Sequence, residues 1–145
     1  MRIAILDKVH SLFESSFKKK NWKIDLLHNT PRKELKKIIH QYDGIILRSR
    51  IQMDENFLHH ATQLKFIGRP GAGLENIDLN FCNKQNIQVF RSPEGNMDAV
   101  GEHVIGSLLM LLNNLKRADI EVRKVIWLRE ENRGYEIKGK TFAII

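Results

Sequence analysis

Residues 68–78 read GRPGAGLENID and directly follow the apolar run LKFI at residues 64–67. The apolar run predicts a short buried strand. Three of the first six residues after it are glycine, which permits positive φ and lets a ligand approach the main chain closely. Arg69 adds a planar fork of donors that suits a carboxylate or a phosphate. We therefore predict an anion-binding loop at the carboxyl end of a strand, where open α/β sheets bind ligands. A tight turn with a solvated arginine is the alternative.

The front part of the chain alternates short apolar runs with amphipathic segments. Strands are predicted at residues 2–6, 23–27, 44–47, 64–68 and 87–90. Helices are predicted at 11–20, after Thr30-Pro31, at 54–61 behind a capping Asp54, and at 79–85. This alternation is typical of βαβ units and of a parallel sheet with helices on both faces.

The pattern changes after residue 97. Residues 98–123 predict one long helix whose apolar residues occupy more than one stripe, so we expect it to be buried on several sides. Trp127 and the charged residues after it predict an exposed arm. Residues 141–145 read TFAII and predict a new buried strand. We therefore expect this chain to be the front part of a longer protein.

Composition excludes several classes of protein. The chain has 145 residues, with 42% hydrophobic and 28% charged residues, which argues against a disordered or fibrous class. Cys82 is the only cysteine, so an internal disulfide or a cysteine-based metal cluster is excluded and a cytoplasmic location is expected. The histidines follow no metal-binding spacing, and no apolar run approaches the length of a membrane span.

The net charge of +7 permits binding of nucleic acid but suits acidic metabolites equally well. The lysines cluster at 18–20 and 33–37, at spacings that indicate solvated helix faces. Aromatic residues are not interleaved with them as in a nucleic-acid surface. We therefore predict a small-molecule partner and neither a nucleic acid nor a membrane.

Four ordered motifs resemble one known family. They are LRSR at 47–50, the segment 68–78, SPEGNMDAVGEH at 92–103 and GYEIKGKTFAII at 134–145. Together they resemble the D-isomer-specific 2-hydroxyacid dehydrogenases, and most closely the branch that acts on D-3-phosphoglycerate in serine biosynthesis. The resemblance covers nearly all of the chain after Gly44.

This resemblance implies an α/β architecture in two parts. Residues 1–97 would form a flavodoxin-like substrate-binding domain with a parallel sheet. Residues 98–145 would form a long linking helix, an arm and the first strand of a truncated Rossmann domain that binds NAD. In the family the catalytic arginine, glutamate and histidine lie further along the chain, so no catalytic residue is assigned here. The chain by itself is expected to be inactive, whereas the whole protein would transfer a hydride between NAD and a 2-hydroxy acid.

The resemblance also implies which residues contact ligands. The substrate would be bound by Arg48, Ser49, Arg69, Gly71, Ala72, Gly73 and Asn96. Ala72 and Val100 would contact the nicotinamide end of the cofactor. From the residues alone, Arg48 could also end a strand in solvent, and Asn96 could cap a helix.

Three further points follow from the residues and the resemblance. Glu102 and His103 are adjacent on a predicted helix, so their side chains diverge and we interpret them as structural. Pro70 and Glu75 depart from the family pattern, and Pro70 fixes φ and removes an N–H donor beside the loop, which bears on the choice of substrate. The long helix and the arm imply a homodimer. An NAD-sensing corepressor of the same fold, or a free-standing flavodoxin-like domain, are the alternatives.

Overall fold

The chain divides into two compact units, Met1–Asn96 and Met97–Ile145. The computed structural model describes residues 1–144. The first unit carries the whole of the β-sheet, and the second is helical with an irregular segment after residue 124.

Five parallel strands form one sheet in the first unit. They are β1 (Arg2–Ile5), β2 (Lys23–Leu26), β3 (Gly44–Ile46), β4 (Phe66–Arg69) and β5 (Gln88–Arg91). Their order across the sheet is β2-β1-β3-β4-β5, and every pair is parallel. This confirms the predicted α/β class with its flavodoxin-like sheet. The strand order reverses direction between β1 and β3, which is where sheets of this kind leave a crevice at their carboxyl ends.

Four helices connect these strands, namely α1 (Ser11–Lys19), α2 (Arg32–Ile38), α3 (Glu55–Leu58) and α4 (Leu79–Lys84). A short 3₁₀ segment, Ile39–Gln41, extends α2. Asp54 caps α3 by accepting a hydrogen bond from the Phe57 N–H, as predicted, although α3 ends at Leu58 and not at residue 61. Asp78 caps α4 in the same way through the Phe81 N–H.

Apolar layers cover both faces of the sheet because successive strand residues point to opposite sides. One cluster joins Ile45 and Ile67 of the sheet to Leu35, Phe57 and Phe81 of the helices α2, α3 and α4. Burying each of these side chains contributes about 1.5–3 kcal/mol of hydrophobic stabilisation. The helices on this face therefore stabilise the sheet by covering it with apolar side chains.

The other face is covered by α1. Ile3, Ile5 and Ile46 form its buried centre, and Phe13 and Phe17 of α1 pack against them. The first unit is thus a three-layer α/β structure. It confirms the predicted parallel sheet with helices on both faces.

The second unit contains two helices where one was predicted, so the single helix over 98–123 is wrong. Helix α5 spans Met97–Leu112 and α6 spans Leu115–Arg123. Asn114 between them has the left-handed backbone φ 53°, ψ 25°, a conformation that asparagine tolerates better than most residues. The backbone N–H of Tyr135 donates to the Leu112 carbonyl at 3.0 Å, so a distant segment satisfies the freed end of α5.

Two other expectations for this unit are not met. The helix over 98–123 was expected to be buried on several sides, but neither α5 nor α6 has a buried residue among those that the structure describes. Residues 141–144 of the predicted terminal strand are not in a strand, because no strand among the described residues pairs with them. Its last residue, Ile145, lies outside the described residues. In residues 1–144 no helix has the length and apolar character needed to cross a membrane.

Candidate functional site

A cavity of about 700 Å³ lies in the first unit at the carboxyl ends of β3, β4 and β5. Parallel strands end at the same edge of a sheet, so the residues that follow them converge. The cavity is lined by Phe13, Arg48, Ser49, Gly68, Arg69, Pro70, Gly71, Ala72, Gly73, Phe90, Arg91, Ser92, Gly95 and Asn96. All seven residues predicted to contact substrate are among them, and the structure therefore brings them together.

Arg69 is the last residue of β4 and is the most enclosed cation of the cavity. Its side chain is only 11% exposed, and its Nη2 donates to Glu75 Oε1 at 3.0 Å. Its Nε is buried and has no hydrogen-bond partner among the described residues. The bond from Nη2 to Glu75 is the only hydrogen bond of this side chain among the described residues, so Arg69 retains other N–H donors for an anion in the cavity.

The glycine-rich loop after β4 holds the Arg69 guanidinium in place. Gly71 has φ +149°, and a Cβ added there would lie 2.8 Å from Arg69 Nη1. The Gly71 carbonyl accepts from the Ser92 N–H at 3.0 Å, which ties the loop to the end of β5. The backbone conformation therefore favours glycine at position 71, and a larger residue would also displace the end of the Arg69 side chain.

Arg48 follows β3, and its backbone is held on two sides. Its N–H donates to Asp7 Oδ2 at 2.6 Å. Its carbonyl accepts from Asn76 Nδ2 at 3.1 Å, and the same amide nitrogen donates to the Ile51 carbonyl at 3.0 Å. Asn76 is 6% exposed, and sequence reasoning missed it, although an asparagine directly before the apolar Ile77 of the loop was a usable signal. No carboxylate of residues 1–144 forms an ion pair with the Arg48 side chain.

Arg91 is the second cavity residue that sequence reasoning missed. It ends β5 and is the register partner of Arg69 in the neighbouring strand. Its Nη1 donates to the Ala72 carbonyl at 3.3 Å. The available signal was an arginine placed directly after an apolar strand, as Arg48 is after β3.

Arg50 completes the LRSR motif but has a structural role. Its guanidinium donates to the carbonyls of Leu6 (Nη2, 2.6 Å), Leu27 (3.1 Å) and Thr30 (3.0 Å). It also lies 3.4 Å from Asp7 Oδ1. Arg50 thus joins the carboxyl ends of β1 and β2, and it lines a smaller cleft of about 440 Å³ beside the main cavity.

The cavity can bind an anion but offers no group for proton transfer. Its lining contains three arginines and no carboxylate, imidazole or thiol. Cys82 is buried in α4, and burial raises the pKa of its thiol to about 11. Within residues 1–144 no cluster of histidine, cysteine or acidic side chains could hold a metal ion. The arrangement therefore suits recognition of an acidic ligand.

The two residues expected to face a nicotinamide lie in different units. Ala72 is exposed and lines the cavity beside the glycine loop. Val100 lies on α5 and is 50% exposed. A small exposed alanine at the cavity rim fits contact with a flat ring, since it adds apolar surface without closing the opening.

Comparison with known proteins identifies the family. Residues 3–141 match the profile described as D-isomer specific 2-hydroxyacid dehydrogenase, catalytic domain. The D-3-phosphoglycerate dehydrogenase of Archaeoglobus fulgidus is 29% identical over 145 residues, which are 100% of this chain and 28% of that protein. The D-3-phosphoglycerate dehydrogenase 2 of Saccharomyces cerevisiae is 32% identical over 146 residues, covering 100% of this chain and 31% of that protein.

A solved structure of similar fold is D-lactate dehydrogenase from Aquifex aeolicus, complexed with NAD and lactic acid. It has a TM-score of 0.77 and 25% identity, covering 94% of this chain and 41% of that one. The chain spans less than a third of the length of the two curated relatives. Because the family profile covers nearly the whole chain, the chain belongs to the D-isomer-specific 2-hydroxyacid dehydrogenase family.

Proposed function

We propose that this chain is the substrate-binding part of an NAD-dependent oxidoreductase that acts on a small 2-hydroxy acid. The observation that carries the proposal is the cavity at the carboxyl ends of β3, β4 and β5, which is lined by arginines and by no acidic residue. A small organic acid must lose its hydration shell on binding, and charge-assisted hydrogen bonds from arginine replace that shell.

Different residues of the cavity would bind different parts of the substrate. Arg69 lines the cavity with most of its side-chain donors unpaired among the described residues, and Gly71, Ala72 and Gly73 line the same cavity. Successive backbone N–H groups form a favourable concavity for a carboxylate. Arg48, Ser49 and Asn96 lie at the edge of this cavity and would orient the rest of the molecule.

The proposed substrate is 3-phosphoglycerate. Support comes from the names of the relatives, which are D-3-phosphoglycerate dehydrogenases. It also comes from the surplus of positive charge in the cavity, since phosphoglycerate carries a phosphate in addition to its carboxylate. A substrate with one carboxylate would leave much of that charge uncompensated.

NAD is the proposed cofactor, and it would accept or deliver the hydride when bound. Two neighbours of similar fold were solved with NAD. In this chain Ala72 would contact the nicotinamide end, as would Val100. Among the described residues the cavity lining contains no carboxylate, imidazole or thiol. We propose that other parts of the whole protein supply the catalytic acid and base and that this chain alone is inactive.

NAD-linked turnover of the encoded full-length protein tests this function. 3-Phosphoglycerate, D-glycerate and glyoxylate would be compared in wild type, Arg48→Ala, Arg69→Ala and Arg69→Lys. We expect phosphoglycerate to be preferred. Either alanine variant should lose at least about tenfold in kcat/KM, equivalent to about 1.4 kcal/mol of transition-state stabilisation. Arg129→Ala is the matched control, because the Arg129 side chain is 81% exposed and lies outside the cavity.

Two outcomes would contradict the proposal. Equal activity of the Arg48→Ala and Arg129→Ala variants would remove Arg48 from the site. Binding of NAD without turnover of any of the three acids would favour the corepressor-like binding module instead.

We further propose that the protein is a homodimer that pairs through the second unit. Apolar residues are exposed on both of its helices, including Leu111 at 75% and Ile120 at 45%. Met110, Leu111 and Ile120 line one shallow cleft with Arg117 and Lys124. Exposed apolar residues grouped in a cleft with polar residues around them are typical of surfaces that bind another protein.

A further inference from the structure

Arg91 and Arg69 are neighbours across two parallel strands. They are register partners at the carboxyl ends of β5 and β4, and adjacent strands lie about 4.8 Å apart. Residues two apart on a strand point to the same face. Arg69 therefore shares the face of Ile67, and Arg91 shares the face of Val89. Ile67 and Val89 belong to the same apolar cluster, so both arginines project from the same side of the sheet.

Among residues 1–144 this pair of arginines has only one acidic partner. Arg69 pairs with Glu75 at 3.0 Å, whereas no carboxylate in the described part of the chain forms an ion pair with Arg91. Like charges placed directly opposite each other destabilise a sheet. The arrangement would be relieved by an anion bound between the two strand ends.

Arg91 has donors available for such an anion. An arginine side chain carries five N–H donors, and the only side-chain hydrogen bond of Arg91 in residues 1–144 is the one from Nη1 to the Ala72 carbonyl at 3.3 Å. That bond joins Arg91 to the loop that would hold the substrate carboxylate. Arg91 lines the same cavity as Arg69 and Ala72.

From this geometry we infer that Arg91 is a specificity-determining residue for acids with two anionic groups. The carboxylate of such an acid lies against Arg69 and the glycine loop, and Arg91 contacts its second anionic group. The inference rests on the proposed function, in which the cavity binds a small organic acid. Arg91 therefore selects for acids with two anionic groups, and singly charged acids bind without using it.

Calorimetry with D-3-phosphoglycerate and D-glycerate tests this inference, since the two acids differ only by the phosphoryl group. The encoded full-length protein would be titrated with each acid as wild type, Arg91→Gln and Arg91→Lys. Glutamine keeps a donor for the Ala72 carbonyl and removes the charge, whereas lysine keeps the charge and loses the planar fork. Lys84→Gln is the control, because it removes one positive charge from an exposed position on α4 outside the cavity.

The measured quantity is the ratio of the two dissociation constants, glycerate over phosphoglycerate. We expect Arg91→Gln to lower this ratio by about tenfold or more, since the site would lose a charge-assisted contact that only phosphoglycerate makes. Arg91→Lys should lower it less, and Lys84→Gln should leave it near the wild-type value. If Arg91→Gln weakens the binding of phosphoglycerate and leaves the binding of glycerate unchanged, the inference is supported.

Three results would overturn it. An unchanged ratio in Arg91→Gln, with both acids still bound, would show that Arg91 does not discriminate. An equal loss of affinity for both acids would show that Arg91 acts only by stabilising the loop through its hydrogen bond to Ala72. If wild type binds neither acid, the proposed function itself fails, and the inference fails with it.

Discussion

Arg69 and Glu75 form an ion pair across the glycine-rich loop, with 3.0 Å between Nη2 and Oε1. The two partners are in very different surroundings, since the Arg69 side chain is 11% exposed and the Glu75 side chain is 71% exposed. The carboxylate thus neutralises part of the charge of a cavity arginine from the solvent side.

Removing this carboxylate should strengthen anion binding. In Glu75→Gln the amide oxygen can still accept from Arg69, but the negative charge is gone. Because an exposed partner contributes little, we expect phosphoglycerate to bind only about two- to fivefold more tightly at low salt. Calorimetry at 20 and 200 mM salt checks this, and weaker binding would show instead that Glu75 positions Arg69.

Substitution of Gly71 should impair both folding and the site. Alanine at φ +149° is strained, and its Cβ would lie 2.8 Å from Arg69 Nη1. We expect Gly71→Ala to cost about 1–3 kcal/mol of unfolding free energy and to weaken phosphoglycerate binding, measured by urea unfolding and by calorimetry. Gly101→Ala is the control. It lies within α5 with nothing within 4 Å of an added Cβ, so it should keep or raise stability. Equal effects of the two substitutions would contradict the role given to Gly71.

Asp43 should make the stability of the fold depend on pH. The pKa of its carboxyl is lowered because Lys65 Nζ donates to it at 2.7 Å and because the Arg2 N–H donates to it at 2.8 Å. A carboxyl with a lowered folded-state pKa stabilises the fold above its unfolded-state value near pH 4, and this contribution disappears as the pH falls through the folded-state pKa.

We therefore expect Asp43→Asn to lose about 1 kcal/mol at pH 7 and to show a flatter fall in unfolding free energy between pH 5 and pH 2. Urea titrations across this range measure the difference. Asp119→Asn, which removes a carboxylate that is 58% exposed on α6, should behave like wild type. Parallel curves for wild type and Asp43→Asn would refute the expectation.

Assembly through the second unit should depend on Leu111. This side chain is 75% exposed within the chain, and Leu111→Glu would place a charge in the proposed dimer contact, where its burial is costly. Sedimentation should give a dimer for wild type and a monomer for Leu111→Glu. Leu12→Glu on α1 is the matched control, with Leu12 65% exposed in the first unit. A wild-type monomer at high concentration would exclude this mode of pairing.

Local pattern explains why much of the first unit could be predicted. The apolar runs before Asp7, Arg48 and Arg69 are each followed by polar or glycine-rich segments, and the five predicted strands all occur within one or two residues of their expected bounds. The predicted cap Asp54 accepts a hydrogen bond from an N–H group three residues away. These features depend on neighbours in sequence, so a single sequence suffices to recognise them.

Contacts between distant residues could not be predicted in this way. The break at Asn114 coincides with a hydrogen bond from Tyr135 to Leu112, a partner 23 positions away that no helical periodicity reveals. The burial of α5 was predicted wrongly for the same reason. Burial depends on what packs against a helix and not on the composition of the helix alone.

The sequence by itself determined the α/β class, the family, and the glycine loop with Arg48 and Arg69, because each depends on residue types at short and regular spacing. Only the tertiary structure decided that Arg91 stands beside Arg69 and that Asn76 holds the Arg48 backbone. Asn76 reaches the Arg48 carbonyl, 28 positions away, through a side-chain hydrogen bond. For the two arginines the physical reason is strand pairing. A parallel register joins residues that are 22 positions apart and sets which side chains share one face of the sheet.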